Sequence, residues 1–261
     1  MPATEVQNRM IPSTTIIIPA YNEENRIGRV IGEIKDLVTT NNLNWDVIVS
    51  IDGKDNTEEI VKGFSSLYPF IRYQKSKGRS GKGYAIKRVI NSSTGEFTMI
   101  MDADGAVELS DIVKNFQYLA KYDAILFDRY SSTRNSIPLY RRVPSRGFNI
   151  LVRTMLGLNV RDTQCGYKIV RTDLIKEAFR RVGITNSFFD VSLLYHIKKM
   201  GARIKEVDVM YAHDQKSKFN IWAEIIGQGI SLLAFRLRHS RFYKYVPRWA
   251  TDLYLRKFRW I

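Results

Sequence analysis

Cysteine is almost missing from this chain: Cys165 is the only one in 261 residues. No internal disulfide framework can form, and a reducing compartment is compatible with that usage. Histidine is nearly as scarce, with 3 copies at His196, His213 and His239, and no serine sits in a nucleophile elbow. A Cys/His or Ser/His nucleophilic enzyme is therefore disfavoured. Cys165 is expected to pack as a small buried side chain, and His213 to cap a strand or lie on the surface. The 7 prolines and 16 glycines gather into no linker, and no low-complexity tract or internal repeat is present. One catalytic-sized unit with appendages is expected, since 44% hydrophobic residues suffice for a full core. Long apolar runs are also lacking. The longest uncharged stretch near the C-terminus, Ile225 to Phe235, is about half of what a bilayer-spanning helix needs, which argues against an integral membrane protein. "MPATEVQNRMIPS" has no basic-then-apolar character and is expected to be a polar lead-in.

Acids are in deficit, 26 against 41 Lys and Arg, and the net charge of +15 is unevenly placed. Arg129 to Arg161 holds seven Arg and no acid, and Arg236 to Ile261 holds eight Lys or Arg against one Asp. The basicity thus belongs to two patches, with the remainder nearly neutral.

The first 130 residues alternate between strand and helix patterns. "TTIIIP" (Thr14 to Pro19), "WDVIVSID", "FIRYQ", "FTMIMDADG" and "DAILFDR" read as strands. Between them, Asn22 to Val38, Thr57 to Phe64, Tyr84 to Ile90 and Leu109 to Leu119 have helical spacing. That alternation predicts an α/β, Rossmann-like doubly wound, mostly parallel sheet with ligand sites beyond the carboxyl ends of its strands. "PAYNEE", "DGKDNT", "DADG" and "DR" fall at those ends. Later, residues 141–157, Leu174 to Arg181, Asp190 to Met200 and Ile221 to Leu237 read as helices, "YKIVR" as a short strand and "ARIKEVDVMYA" as extended. The last helix shows an apolar face of Ile221, Trp222, Ile225, Ile226, Ile230, Leu233 and Leu237, followed by seven aromatics interleaved with basic residues. Such a segment suits a membrane interface carrying anionic lipid.

Asp102 and Asp104 stand at i and i+2, so a strand continued through them would point both carboxylates to one side. Two hard oxygen ligands suit Mg²⁺ or Mn²⁺, whose shell is completed by phosphate oxygens and water. The same spacing also describes a solvated turn whose acids cap the next helix.

"IIIPAYNEEN" resembles the opening motif of the family 2 inverting glycosyltransferases of the GT-A fold. "SIDGKDNT", "GKGYAIK" and "DADG" resemble the next three motifs, in family order and spacing. The resemblance implies a nucleotide-sugar site in which Pro19, Ala20, Tyr21 and Glu23 hold the nucleobase and Asp52 faces it. Lys82, Asp102, Ala103 and Asp104 complete that site, with Asp102 and Asp104 as the metal ligands. The usual second motif has two adjacent acids before Gly, whereas this chain has Asp-Gly-Lys-Asp. "RDTQCGYKIV" (Arg161 to Val170) and "FFDVSLL" (Phe188 to Leu194) resemble the polyprenyl-phosphate sugar synthases, and most the dolichyl-phosphate glucose synthase branch. Ser192 departs from the Glu that relatives usually carry after "F-D-V"; if that Glu assists catalysis in relatives, this chain works without it, and the resemblance assigns Asp190 no firm role.

The resemblance spans roughly Thr14 to Lys218. It implies transfer of a hexose to dolichyl or polyprenyl phosphate, giving a lipid-linked monosaccharide for protein glycosylation at the cytoplasmic face of the cell or ER membrane. UDP-glucose is the donor favoured by the branch, with GDP-mannose and UDP-N-acetylglucosamine open. A phosphate monoester carries about −1.5 to −2 charges at neutral pH, so its oxygen is already a nucleophile but needs cations to approach a diphosphate. By the same resemblance Arg129, Arg141, Ser145 and Lys218 hold that phosphate, with Asp102, Asp104 and Arg129 as the catalytic set. Residues 1–218 are expected to form the GT-A catalytic domain, and residues 219–261 an amphipathic, basic-aromatic membrane-associating segment. A family 2 enzyme with a glycan acceptor would not need the basic patches. A nucleic-acid-binding protein would not need the acids at the strand ends, and no nucleic-acid motif is present.

Overall fold

The computed structural model describes residues 11–76, 78–131, 138–183, 186, 188–211 and 221–245. In chain order the described strands are β1 (Thr14–Tyr21), β2 (Trp45–Asp52), β3 (Ile71–Lys75), β4 (Phe97–Ile100), β5 (Ala124–Asp128), β6 (Lys168–Arg171) and β7 (Ile204–Asp208). The helices are α1 (Ile27–Thr40), α2 (Thr57–Leu67), α3 (Lys82–Val89), α4 (Leu109–Val113), α5 (Leu139–Leu156), α6 (Thr172–Arg181), α7 (Phe189–Lys199) and α8 (Ile221–Arg238). The strands form one sheet in the order β3-β2-β1-β4-β6-β5-β7, parallel except where β6 runs against β4 and β5.

β1 shows why the sheet is covered on both faces. Ile16 and Ile18 pack with Ile27, Val30, Ile31 and Ile34 of α1, while Ile17 packs on the other face with Ile86 and Val89 of α3 and Ile175 of α6. Side chains of a strand alternate faces, so a continuous isoleucine run must be buried twice. Pro19 lies in this central strand, where a proline normally breaks a ladder. It is tolerated because the Ile17 carbonyl accepts from Met101 N at 3.0 Å on the β4 side, and β4 itself pairs no further than Ile17↔Ile100. Two residues on, the Pro19 nitrogen turns to the same side, where β4 has ended. The separation of β1 from β4 there is the topological switch point, and the crevice beyond it is where ligands of doubly wound sheets lie.

Two expectations need correcting. The strand does not carry Asp102 and Asp104, because β4 ends at Ile100 and the acids occupy the turn that follows. The helix expected to run to Leu119 is α-helical only to Val113 and tightens into a 3₁₀ helix over Lys114–Ala120. In that segment Asn115 donates to the Asp111 carbonyl at 2.7 Å, and Phe116 stacks on Trp45 with ring centroids 5.0 Å apart.

α8 is built into the body of the molecule. Leu232 and Phe235 are buried with Phe148 and Val152 of α5 and with Phe188, Val191 and Leu194. Ile226, Leu233 and Leu237 face outward. Ile230 is half-buried and Tyr245 exposed, while side chains 221–225, the Phe242 side chain and residues 246–261, which carry Ile221, Trp222 and Ile225 of the expected apolar face and most of the aromatic tail, lie outside the described residues.

Candidate active site

The loops after β1 and β2 lock together before either meets the acids. Asn22 takes a φ of +54°, and its Oδ1 accepts from Lys54 N at 3.0 Å. Gly53, at φ +108°, packs so closely that a Cβ there would lie 2.1 Å from Asn22 Oδ1, so this turn admits only glycine. Glu23 N donates to Thr57 Oγ1 at 2.8 Å, and Glu24 N to Asp55 Oδ2 at 3.0 Å. These bonds occupy the Asn22, Asp55 and Thr57 side chains of the two motifs. Ala20 is buried, Pro19 half-buried and Tyr21 exposed, with the Arg79 guanidinium 4.7 Å from the Tyr21 ring centroid. Asp52 is buried: Oδ2 accepts from Ser80 N at 2.7 Å and Ser80 Oγ at 2.5 Å, and Oδ1 accepts from Arg88 Nη2 at 3.1 Å. Ser80 and Arg88 are partners that local sequence reasoning does not single out.

The turn after β4 brings the two acids together. Asp104 Oδ1 accepts from Ala106 N at 3.0 Å and from the Tyr167 hydroxyl at 3.2 Å. Arg29 of α1 donates to the Asp104 carbonyl at 3.1 Å, pinning the loop to the helix. Asp102 Oδ1 lies 2.5 Å from the Lys82 ammonium. Ala103 between them is buried. Burial and the neighbouring charge of Asp102 push the Asp104 carboxyl above its usual range. Burial acts the same way on Asp102, but Lys82, with Lys168 and Arg129 further off, overrides it and holds that carboxyl low. Glu23 is raised by burial and feels both acids, although Arg26 counters part of the rise.

"DTQCGYK" is the scaffold behind these acids. β6 runs antiparallel to β4 with Lys168 opposite Ile100, which carries the preceding residues past the end of β4. Gly166 meets Asp102 so closely that a Cβ would sit 1.7 Å from Oδ2. Tyr167, fully buried, supplies the hydroxyl on Asp104, and burial and the two aspartates push its own ionisation up. Lys168 is buried and bonds the Asp190 carboxylate at 2.5 Å and the Cys165 carbonyl. Thr163 donates to Asn149 Oδ1 at 2.6 Å, tying the run to α5. Cys165 is a packed thiol, its ionisation pushed up to about 12 by burial. Sequence reading marks this run but assigns its members no contacts. Its signal is polar residues persisting in a segment otherwise buried.

Arg129, expected to cradle a phosphate, is committed elsewhere with half of its fork. Its Nε donates to Asp162 Oδ2 at 2.8 Å and Nη2 to Oδ1 at 3.0 Å, and the guanidinium lies 5.3 and 5.6 Å from the Tyr130 and Tyr211 rings. The bidentate geometry expected toward a phosphate is thus taken by Asp162. Ser145 on α5 is half-buried within reach of the Tyr130 hydroxyl. The Arg141 side chain and Lys218 lie outside the described residues. Asp190, on α7, is held by Lys168 and is not free to act as a base, and Ser192 Oγ is buried with no hydrogen-bond partner among the described residues.

The acid pair fits a divalent cation. Its donors are hard oxygens, the mutual repulsion of Asp102 and Asp104 exceeds what Lys82 offsets at Asp104, and Asp104 Oδ2 accepts no bond from a described residue.

Residues 15–179 match the model of glycosyl transferase family 2. A dolichyl-phosphate beta-glucosyltransferase of Dictyostelium discoideum is 27% identical over 242 residues, covering 86% of this chain and 74% of the relative. A human protein of the same description is 28% identical over 245 residues, covering 86% and 75%. Among solved structures, glucosyl-3-phosphoglycerate synthase of Mycobacterium tuberculosis, crystallised with Mn²⁺, UDP and glucosyl-3-phosphoglycerate, shares the fold with a TM-score of 0.63. Its identity is 18%, over 86% of this chain and 80% of that one.

Proposed function

Because this chain belongs to glycosyl transferase family 2, we propose that it moves glucose from UDP-glucose to dolichyl or polyprenyl phosphate, inverting the anomeric carbon. The observation that carries the reading is the pairing of "DADG" with "DTQCGYK". The first supplies two carboxylates at the switch point, and the second bonds Asp104 through the Tyr167 hydroxyl and packs Gly166 against Asp102. The curated relatives named above, all similar along most of this chain, are dolichyl-phosphate glucosyltransferases by name.

Asp102 and Asp104 are the residues that would hold Mg²⁺ or Mn²⁺. Such an ion, when bound, neutralises charge on the diphosphate leaving group. The chain's own residues do the remainder. Tyr21, Glu23 and the Asp52 turn bind the nucleoside end, with Pro19 and Ala20 shaping the floor. An oxygen of the lipid phosphate attacks the anomeric carbon, a new C–O bond forms on the opposite face, and the bond to the diphosphate breaks with its electron pair leaving on UDP. No general base is required, because the attacking oxygen already carries negative charge. That matches a site in which Asp190 is tied up by Lys168. Arg129, its charge offset by Asp162, orders the end of β5, and Arg141, Ser145 and Lys218 are assigned to the acceptor phosphate. Holding both substrates in line supplies much of the acceleration.

Supporting a membrane-borne acceptor, Val143, Ile150 and Leu151 of α5 and Ile226, Leu233 and Leu237 of α8 are exposed apolar side chains on two helices that pack together. Arg146, Arg236 and Arg238 on the same helices are exposed. No helix among the described residues is long and apolar enough to cross a membrane. Exposed apolar residues set among cations suit an interfacial position on anionic lipid, with residues 219–261 as the associating segment.

The decisive experiment incubates the protein with a panel of radiolabelled nucleotide-sugars, dolichyl phosphate and Mg²⁺ or Mn²⁺, followed by organic extraction. Label is expected in the organic phase from UDP-glucose. Label from another donor alone overturns the sugar, and label that stays aqueous with a glycan acceptor overturns the lipid.

A further inference from the structure

Lys82 opens α3 directly after Gly81, whose φ of +84° belongs to the region that favours glycine and turns the chain into the helix. From there the ammonium reaches 2.5 Å from Asp102 Oδ1, with the two side chains 32% and 31% exposed. On its other oxygen Asp102 lies against Gly166, where a Cβ would fall 1.7 Å from Oδ2, so the carboxylate occupies the space that only a glycine leaves open. One oxygen of a carboxylate that fits a divalent ion is therefore already engaged by a side-chain cation. This pair sits beside an α3 N-terminus that no side chain caps, and uncapped backbone N–H groups there favour an anion.

We infer that Lys82 and a divalent cation compete for Asp102, and that a nucleoside diphosphate resolves the competition by drawing the ammonium onto itself. The inference rests on the reading that the acid pair holds a divalent ion, and adds what Lys82 does to that ion's affinity. The physical basis is charge. Asp102, Asp104 and Lys82 together carry one negative charge fewer than the two acids alone, so a dication is attracted less while the ammonium stays. A diphosphate near the start of α3 offers the ammonium a stronger partner than one carboxylate. Its arrival releases Asp102, so each ligand strengthens the other through Lys82 in addition to any direct contact between them. Lys82 is in this sense a coupling residue between metal and nucleotide.

The test reads binding and not turnover. Mn²⁺ is titrated into the full chain without nucleotide, free Mn²⁺ being followed by electron paramagnetic resonance, and UDP binding is then measured by calorimetry in saturating Mn²⁺. Lys82→Met is expected to bind Mn²⁺ alone on the order of 10-fold more tightly than wild type and UDP on the order of 10-fold more weakly. The factor by which UDP strengthens Mn²⁺ binding shrinks accordingly. Lys82→Arg, which keeps the charge, binds Mn²⁺ alone no more tightly than wild type. Lys82→Gln repeats the neutral variant with a polar side chain, should methionine disturb folding. Mn²⁺ binding that is unchanged or weaker in both neutral variants overturns the inference, provided Asp104→Asn weakens it. Mn²⁺ binding that survives Asp104→Asn refutes the acid-pair reading itself, and this inference with it.

Discussion

Replacing Lys168 with methionine is expected to destabilise the fold by about 3–5 kcal/mol, the cost of removing one partner from a buried ion pair. Lys168 and Asp190 are 1% and 7% exposed, their charged atoms are 2.5 Å apart, and Lys168 lies at the centre of the sheet, paired with Ile100 on one side and Leu126 on the other. Methionine keeps the volume but leaves the Asp190 carboxylate without its cation and the Cys165 carbonyl without its donor. Urea unfolding followed by tryptophan fluorescence measures this, since Trp45 is buried against Phe116 on the same sheet. At about 2–4 °C per kcal/mol for a chain of this size, the melting temperature falls by roughly 10 °C. Lys168→Met with Asp190→Leu removes both charges, and recovers most of the loss because two apolar side chains in place of a buried pair are often neutral. A single variant that loses under about 1 kcal/mol, or a double variant as unstable as the sum of its parts, refutes the reasoning.

Gly166→Ala places a Cβ 1.7 Å from Asp102 Oδ2, so the carboxylate must shift; a transfer rate at least about 100-fold below wild type is expected in the radiolabel assay, and a near-normal rate contradicts the close packing. Tyr167→Phe removes only the 3.2 Å bond to Asp104 and leaves the ring in the core. Mn²⁺ affinity is expected to fall about 10-fold with the unfolding midpoint almost unchanged, and an unaltered affinity would mean the hydroxyl does not orient the carboxylate. His196, packed among Tyr195, Phe235 and His239, has its pKa lowered to about 4 by burial, then by the neighbouring His239 and by Arg181 and Arg238. The unfolded chain takes up the proton first, so stability drops as pH falls from about 6.5 toward 4, and His196→Leu flattens the slope of unfolding free energy over that window. An equal slope in the variant assigns the loss to other groups.

The parts of this protein that were legible in the sequence are those set by short-range periodicity and by backbone chemistry. "TTIIIP" reads as a strand covered on both faces, α1 declared itself by Ile27, Val30, Ile31, Ile34 and Val38, and the motifs fell at the strand ends beyond which ligands of such sheets lie. Each follows from residues within a few positions of one another, where strand and helix periods act. What only the tertiary structure decided is who holds whom. β6 returns antiparallel beside β4, and that reversal presses Gly166 on Asp102, brings Tyr167 to Asp104 and lays Lys168 on Asp190. It also gives Arg129 to Asp162, a partner 33 residues away, where the family resemblance implied a fork open to phosphate. No local rule ranks one acid above another as the partner of a given cation. Coulomb attraction and desolvation act on distance in space, and that distance exists only once the sheet order does.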